Sequence, residues 1–97
     1  MAFVQIIEFR TDRIDEVRAV MDEWEAASPD VPEGFRGILC ADRDNPGAYV
    51  QVVEFPSYEA AMENSNRPET TTFAERIEKL CEGSTTFRNL DVQRTMP

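Results

Sequence analysis

The chain has 97 residues, 41% hydrophobic and 30% charged, a length and composition that predict one globular domain over residues 1–97. Its 19 acidic residues against 10 Lys and Arg give a formal net charge of −9, and it has no histidine. Nucleic-acid and anionic-membrane binding rest on Lys and Arg, so we expect neither partner. The lack of histidine removes imidazole acid/base catalysis, His-ligated haem and most zinc sites. No carboxylate spacing indicates a metal cage, and we expect neither a metal nor a cofactor.

The N-terminal residues and the cysteines predict a cytoplasmic protein. The first apolar run follows no basic segment and is broken by Gln5 and Glu8, so we expect neither a signal peptide nor a transmembrane span. Cys40 and Cys81 are too few for a disulfide framework, and we expect reduced thiols. Cys40 lies in an apolar, strand-like run, which predicts a buried side chain.

The first third of the chain reads as a strand and a helix. Residues 3–11 are rich in Phe, Val and Ile and are too few for a typical buried helix, which predicts a strand. From Ile14 to Trp24 apolar residues recur at spacings of three and four, which predicts a helix with one apolar stripe. Thr11 or Asp12 can cap this helix. A polar loop with two prolines follows over residues 28–33.

The remainder predicts a hairpin, an interrupted helix and a last strand. Pro46 and Gly47 supply the turn angles of the hairpin, and Ser57 is a candidate N-cap for the next helix. A polar break at 64–68 precedes a further helix. The predicted elements are strands at 35–41, 49–55 and 85–94 and helices at 58–63 and 69–82.

This order, β-α-β-β-α-β, predicts an α+β ferredoxin-like fold, a four-stranded antiparallel sheet with its helices on one face. Right-handed crossovers place the first and third strands side by side. Because strand side chains alternate between faces, each face of the sheet carries its own row. One face is mostly aromatic. The other is aliphatic at its centre and consists of Val4, Ile6, Val50, Val52, Leu90 and Val92.

The aliphatic face predicts a partner. The helices cover only one face of the sheet. In a monomer the second face would remain exposed to solvent and form an unusually large apolar patch. Full burial of such side chains stabilises by about 1.5–3 kcal/mol each. We therefore expect a homodimer formed through this sheet face with two-fold symmetry. The alternative is that a loop or the C-terminal tail covers the face.

The element order, the two apolar sheet faces and the interrupted helix resemble the dimeric α+β barrel superfamily, and within it the antibiotic-biosynthesis monooxygenase-like family. The residues that carry the resemblance are Val4–Phe9, the helix of Trp24, Tyr49–Phe55, Ser57–Ala61, and Asn64-Ser65-Asn66 before Pro68. The resemblance implies a dimeric barrel that oxidises a small aromatic or polyketide-like compound without a cofactor. It also implies a pocket between sheet and helices, with Asn64 and Asn66 where the family often places polar pocket residues.

Amide side chains within the aromatic row form the candidate pocket. Gln5, Gln51 and Asn89 would orient a flat apolar ligand on the helix side of the sheet. The alternative is a set of core amides bonded to backbone or water, and an unpaired buried amide costs about 1–3 kcal/mol. Trp24 is either core or a pocket wall. The residues predicted to line the pocket are Gln5, Phe9, Trp24, Tyr49, Gln51, Asn64, Asn66 and Asn89.

Two functions stay open at this point. One is an enzyme in which pocket amides stabilise a substrate carbanion or enolate during oxidation without a cofactor. The other is a non-catalytic ligand-binding or accessory protein. The sequence marks no catalytic residue, because neither tyrosine stands out and the strand carboxylates have arginines as equally plausible partners. A fully filled core would indicate a purely structural dimer.

Overall fold

The computed structural model describes residues 2–28 and 33–97, and in them four strands and three helices follow the predicted order. The ferredoxin-like prediction is therefore confirmed, with the second helical region divided in two. The predicted loop residues 29–32 lie outside the described part of the chain. The elements are β1 (Phe3–Arg10), α1 (Ile14–Ala27), β2 (Arg36–Ala41), β3 (Ala48–Phe55), α2 (Tyr58–Ser65), α3 (Pro68–Leu80) and β4 (Thr86–Asp91).

The sheet has the strand order β2-β3-β1-β4, and each neighbouring pair is antiparallel. The predicted adjacency of the first and third strands is confirmed. Their register runs from Phe3 opposite Phe55 to Arg10 opposite Ala48. At the β2–β3 hairpin Gly47 has a φ of +88°, which glycine adopts at no steric cost.

Local hydrogen bonds fix where the helices begin. β1 ends just before Thr11, whose buried hydroxyl donates to the Leu80 carbonyl at 2.7 Å and accepts from the Arg13 backbone N–H at 2.9 Å. The chain thereby turns into α1, and Arg13 rather than Thr11 or Asp12 occupies the N-cap position. Ser57 is the N-cap of α2, as predicted, and its Oγ accepts from the Ala60 N–H at 3.1 Å.

The core lies between the helices and one face of the sheet, in two clusters. The α2 cluster consists of Phe3, Val53, Phe55 and Ala61, with Phe35 and Met62 packed against it. The α1–α3 cluster consists of Phe9, Val17, Val20 and Ile77, with Leu39, Tyr49 and Phe73 among the side chains packed against it. Ile7 contacts both clusters.

The opposite face of the sheet, called the open face below, has no helix over it. Among the described residues none of its apolar side chains is buried, and Ile38 and Leu90 remain 36% and 40% exposed. The prediction that Cys40 is buried is wrong for the single chain, because Cys40 lies on this uncovered face of the edge strand β2. None of the helices in the described residues combines the length and hydropathy that a bilayer crossing requires.

Candidate functional site

Three amide side chains cross the helix-covered face of the sheet and are called the amide row below: Asn89 on β4, Gln5 on β1 and Gln51 on β3. Gln5 lies opposite Asn89, and its Nε2 donates to Asn89 Oδ1 at 3.1 Å. Gln51 lies opposite Ile7, two residues along β1 from Gln5. Gln51 and Gln5 are therefore diagonal neighbours, about 7–8 Å apart.

Burial increases along the amide row. Asn89 is exposed and Gln5 is half-buried, whereas the Oε1 of Gln51 is fully buried and has no hydrogen-bond partner in the described structure. A buried acceptor without a donor costs about 1–3 kcal/mol. The row thus contains a buried acceptor, the Gln51 Oε1, to which no group of the described structure donates.

The amide row runs between the two core clusters. Along β3, Tyr49 belongs to the α1–α3 cluster and Val53 to the α2 cluster, with Gln51 between them. Along β1, Gln5 lies between Phe3 and Ile7. A few polar groups between apolar walls are typical of small-molecule sites.

At the β4 end the row is open. Every residue of β4 is exposed, because the helices lie over the other strands. Phe87, opposite Ile7 on the same face as the amides, is 55% exposed. The alternation of side chains along β4 predicts Phe87 on the same aromatic face as Asn89, although Phe87 is not among the residues predicted to line the pocket. Phe87 and Ile7 offer a flat apolar surface beside the amides.

The two asparagines of the helix break have different environments. Asn64 lies one turn after Ala61, which packs in the α2 cluster, and Asn64 Oδ1 is buried with no hydrogen-bond partner among the residues described. Asn66 is exposed and ends α2, where its backbone N–H donates to the Met62 carbonyl at 3.1 Å. Asn64 therefore presents a second unpartnered acceptor, and Asn66 serves the helix end.

Phe9 on β1 and Tyr49 on β3 are the aromatic residues of the sheet that pack in the α1–α3 cluster. Their rings are stacked, with centroids 5.8 Å apart and planes 20° apart. Phe9 is only 4% exposed and packs with Val17 and Ile77. These two rings therefore pack between the sheet and helices α1 and α3, next to Gln51.

Trp24 lies apart from the amide row. Its indole N–H donates to Thr70 Oγ1 at 3.1 Å, and its ring packs against Phe35 and Phe73 at centroid distances of 5.5 and 5.8 Å. Trp24 lines an open groove of about 680 Å³ between α1 and α3, and none of the other seven predicted pocket residues, all in the described part of the chain, lines it. The indole joins two helices.

The amide row contains no ionisable side chain, and the groups with a shifted pKa in the described residues lie elsewhere. Burial raises the pKa of the Cys81 thiol at the end of α3. A hydrogen bond from its own backbone N–H lowers the pKa of Glu69 in the first turn of α3. Within residues 2–28 and 33–97 no cluster of three or more acidic or cysteine side chains is placed to hold a metal ion.

No protein-family model and no curated protein matches the sequence. Solved structures do match the fold. A variant of SnoaB, a cofactor-independent oxygenase from Streptomyces nogalater, aligns with a TM-score of 0.83 at 19% identity, over 99% of this chain and 97% of that one. A protein from Mycobacterium tuberculosis aligns with a TM-score of 0.79 at 17% identity over the full length of both.

A structure named antibiotic biosynthesis monooxygenase aligns with a TM-score of 0.75 at 21% identity, over 97% of this chain and all of that one. At such identities the likeness concerns the fold. The resemblance that the sequence indicated is confirmed at that level, and this chain has the fold of antibiotic biosynthesis monooxygenases.

Proposed function

We propose that the protein binds a small, flat, hydroxyl-bearing aromatic or polyketide-like molecule at the amide row and oxidises it without a cofactor. The observation that carries the proposal is the buried, unpartnered Oε1 of Gln51 between two apolar clusters. A ligand hydroxyl that donates to this oxygen removes its cost of about 1–3 kcal/mol. The shared fold with SnoaB, a cofactor-independent oxygenase, supports the choice of chemistry.

In this proposal the chain's residues bind and orient the substrate. The ring lies on Phe87 and Ile7, and the amides reach its oxygens. When a ring methylene loses a proton, negative charge develops on the neighbouring substrate oxygen, and amide N–H donors stabilise that enolate. One oxygen atom of dioxygen becomes the new carbonyl oxygen, and the other leaves as water with the two hydrogens of the methylene, so the substrate supplies all the electrons.

The second candidate function is non-catalytic ligand binding, as an accessory protein. It is favoured by the composition of the amide row, in which Gln5, Gln51 and Asn89 carry no group that takes up a proton near neutral pH. The row by itself binds and orients, and the proton of the substrate has to leave by another route.

Ligand binding is tested by thermal shift with dihydroxynaphthalene and with its dimethyl ether, which cannot donate. We expect the diol, at about 100 times its Kd, to stabilise the wild-type protein by about 2.7 kcal/mol, and the ether at the same concentration to stabilise it less. Gln51→Leu removes the preference for the diol. The matched control Gln93→Leu, which changes an exposed glutamine after β4, keeps it. A diol that fails to stabilise the wild type, or stabilises Gln51→Leu equally, contradicts the proposed site.

Oxygen uptake separates the two functions. A panel of hydroxyl-bearing aromatic compounds that contain a ring methylene is incubated with the protein in an oxygen electrode, with no cofactor added. Uptake by the wild type and not by Gln51→Leu supports oxidation. Binding with no uptake across the panel assigns the accessory role.

We also propose that the protein forms a homodimer through the open face, in the cytoplasm, where its two free thiols stay reduced. Val4, Ile6, Val50 and Val52 are half-buried in one chain and would be covered by a second copy. Light scattering should give twice the 11.1 kDa of one chain.

The central position of Val52 provides the test of the interface. Val52→Asp places a charge opposite Ile6 and Ile38 and should give the single-chain mass. Ala74→Asp, on the exposed side of α3, should leave the mass unchanged. A wild type with the mass of one chain in dilute solution contradicts the dimer.

A further inference from the structure

Gly37 occupies a position in β2 where the backbone does not need glycine. It lies opposite Val53 on the helix-covered face, next to the pair formed by Leu39 and Gln51. Its φ is not positive, in contrast to those of three other glycines in the described residues. Glycine inside a strand costs about 0.5–1 kcal/mol relative to alanine and often marks a close approach by another group.

The group that approaches is the Gln51 carboxamide. A Cβ built on Gly37 would lie 3.3 Å from Gln51 Nε2, closer than ordinary van der Waals contact, and apart from the two adjacent residues in the chain would meet no other atom of the described structure within 4 Å. A side chain at this position therefore disturbs one neighbour. That neighbour carries the buried, unpartnered oxygen on which the ligand site depends.

We propose that Gly37 is a positioning residue for ligand recognition. Because Gly37 lacks a Cβ, the Gln51 Nε2 has room to lie close to β2, and this placement of the nitrogen fixes the position of the unpartnered Oε1 of the same carboxamide. The inference rests on the proposed function, since it assumes that Gln51 contacts the ligand. Glycine at 37 thus trades strand stability for the placement of one acceptor.

The test uses Gly37→Ala, Gln51→Leu and the double variant. The first readout needs no ligand: in ¹⁵N NMR spectra, the side-chain amide signals of Gln51, assigned by their loss in Gln51→Leu, should shift in Gly37→Ala. The second readout is affinity. Gly37→Ala should weaken dihydroxynaphthalene by about three- to tenfold and leave the dimethyl ether unchanged. In the Gln51→Leu background it should change neither.

The melting temperature separates the positioning role from a merely structural one. We expect Gly37→Ala to melt at or above the temperature of the wild type, since alanine lowers the entropy of the unfolded chain. Unmoved Gln51 amide signals overturn the inference, whatever the ligands do. Equal weakening of diol and ether, or weakening that persists in Gln51→Leu, also overturns it, because Gly37 then acts on packing. A wild type that binds neither compound refutes the proposed function and with it the ligand role, while the NMR shift still reports the contact.

Discussion

Replacing Gln51 with leucine should make the protein more stable, although it removes a polar group from the candidate site. The Oε1 of Gln51 is buried with no donor in the described residues, which costs about 1–3 kcal/mol. Leucine has a similar volume and places apolar atoms opposite Leu39, between the two core clusters. Gln51 as a whole is only half-buried. The substitution therefore also removes the part of the side chain that contacts water, and this loss offsets some of the gain. We expect a net gain of about 1–2 kcal/mol in the free energy of unfolding.

This gain should raise the melting temperature by about 4–16 °C for a domain of this size. Circular dichroism on heating measures it, at one fixed concentration, because the melting temperature of a dimer depends on concentration. Gln5→Leu is the matched control: it breaks the hydrogen bond to Asn89 and should give no comparable gain. If Gln51→Leu unfolds more easily than the wild type, the Gln51 Oε1 accepts a hydrogen bond in solution. That result would refute the claim that this oxygen has no donor.

Three further predictions concern the elements around the site. Trp24→Phe loses the indole hydrogen bond to α3 and should lower the free energy of unfolding by about 1–2 kcal/mol, measured by urea denaturation; no change would show that this bond does not hold α1 on α3. Ser57→Ala removes the N-cap of α2 and should cost about 0.5–2 kcal/mol, whereas Ser57→Asp should retain most of the stability. Burial raises the pKa of Cys81, so iodoacetamide should label it more slowly than exposed Cys40, as read by mass spectrometry. For the same reason stability should fall as the pH rises above the thiol pKa of the unfolded chain, which loses its proton first.

The fold could be predicted because each element carries its own local signal, such as the cap at Ser57 and the Pro46-Gly47 turn of the β2–β3 hairpin, although Pro68, predicted as part of the helix break, is the first residue of α3. The ends of strands depend on partners that the local pattern does not contain. The last strand, predicted to reach residue 94, ends at Asp91 because its partner strand β1 begins at Phe3. One further bond, from the Val92 N–H to the Ala2 carbonyl, closes the ladder.

The candidate site could be predicted in part. Period-two alternation put Gln5, Gln51 and Asn89 on one face, and the register then pairs Gln5 with Asn89. The unpartnered oxygen of Gln51 could not be predicted, since it depends on how three helices divide the core into two clusters. The apolar stripe of the first helix placed Trp24 towards the core, but its acceptor, Thr70, lies 46 residues away in the sequence.

The packing of Trp24 gives this chain an intrinsic optical probe. It is the single tryptophan, so all of the indole emission comes from the junction of α1, α3 and Phe35. Its fluorescence therefore reports whether these two helices remain docked. A compound that binds between α1 and α3 contacts the indole directly, so it should change the emission more than a compound that binds at the amide row.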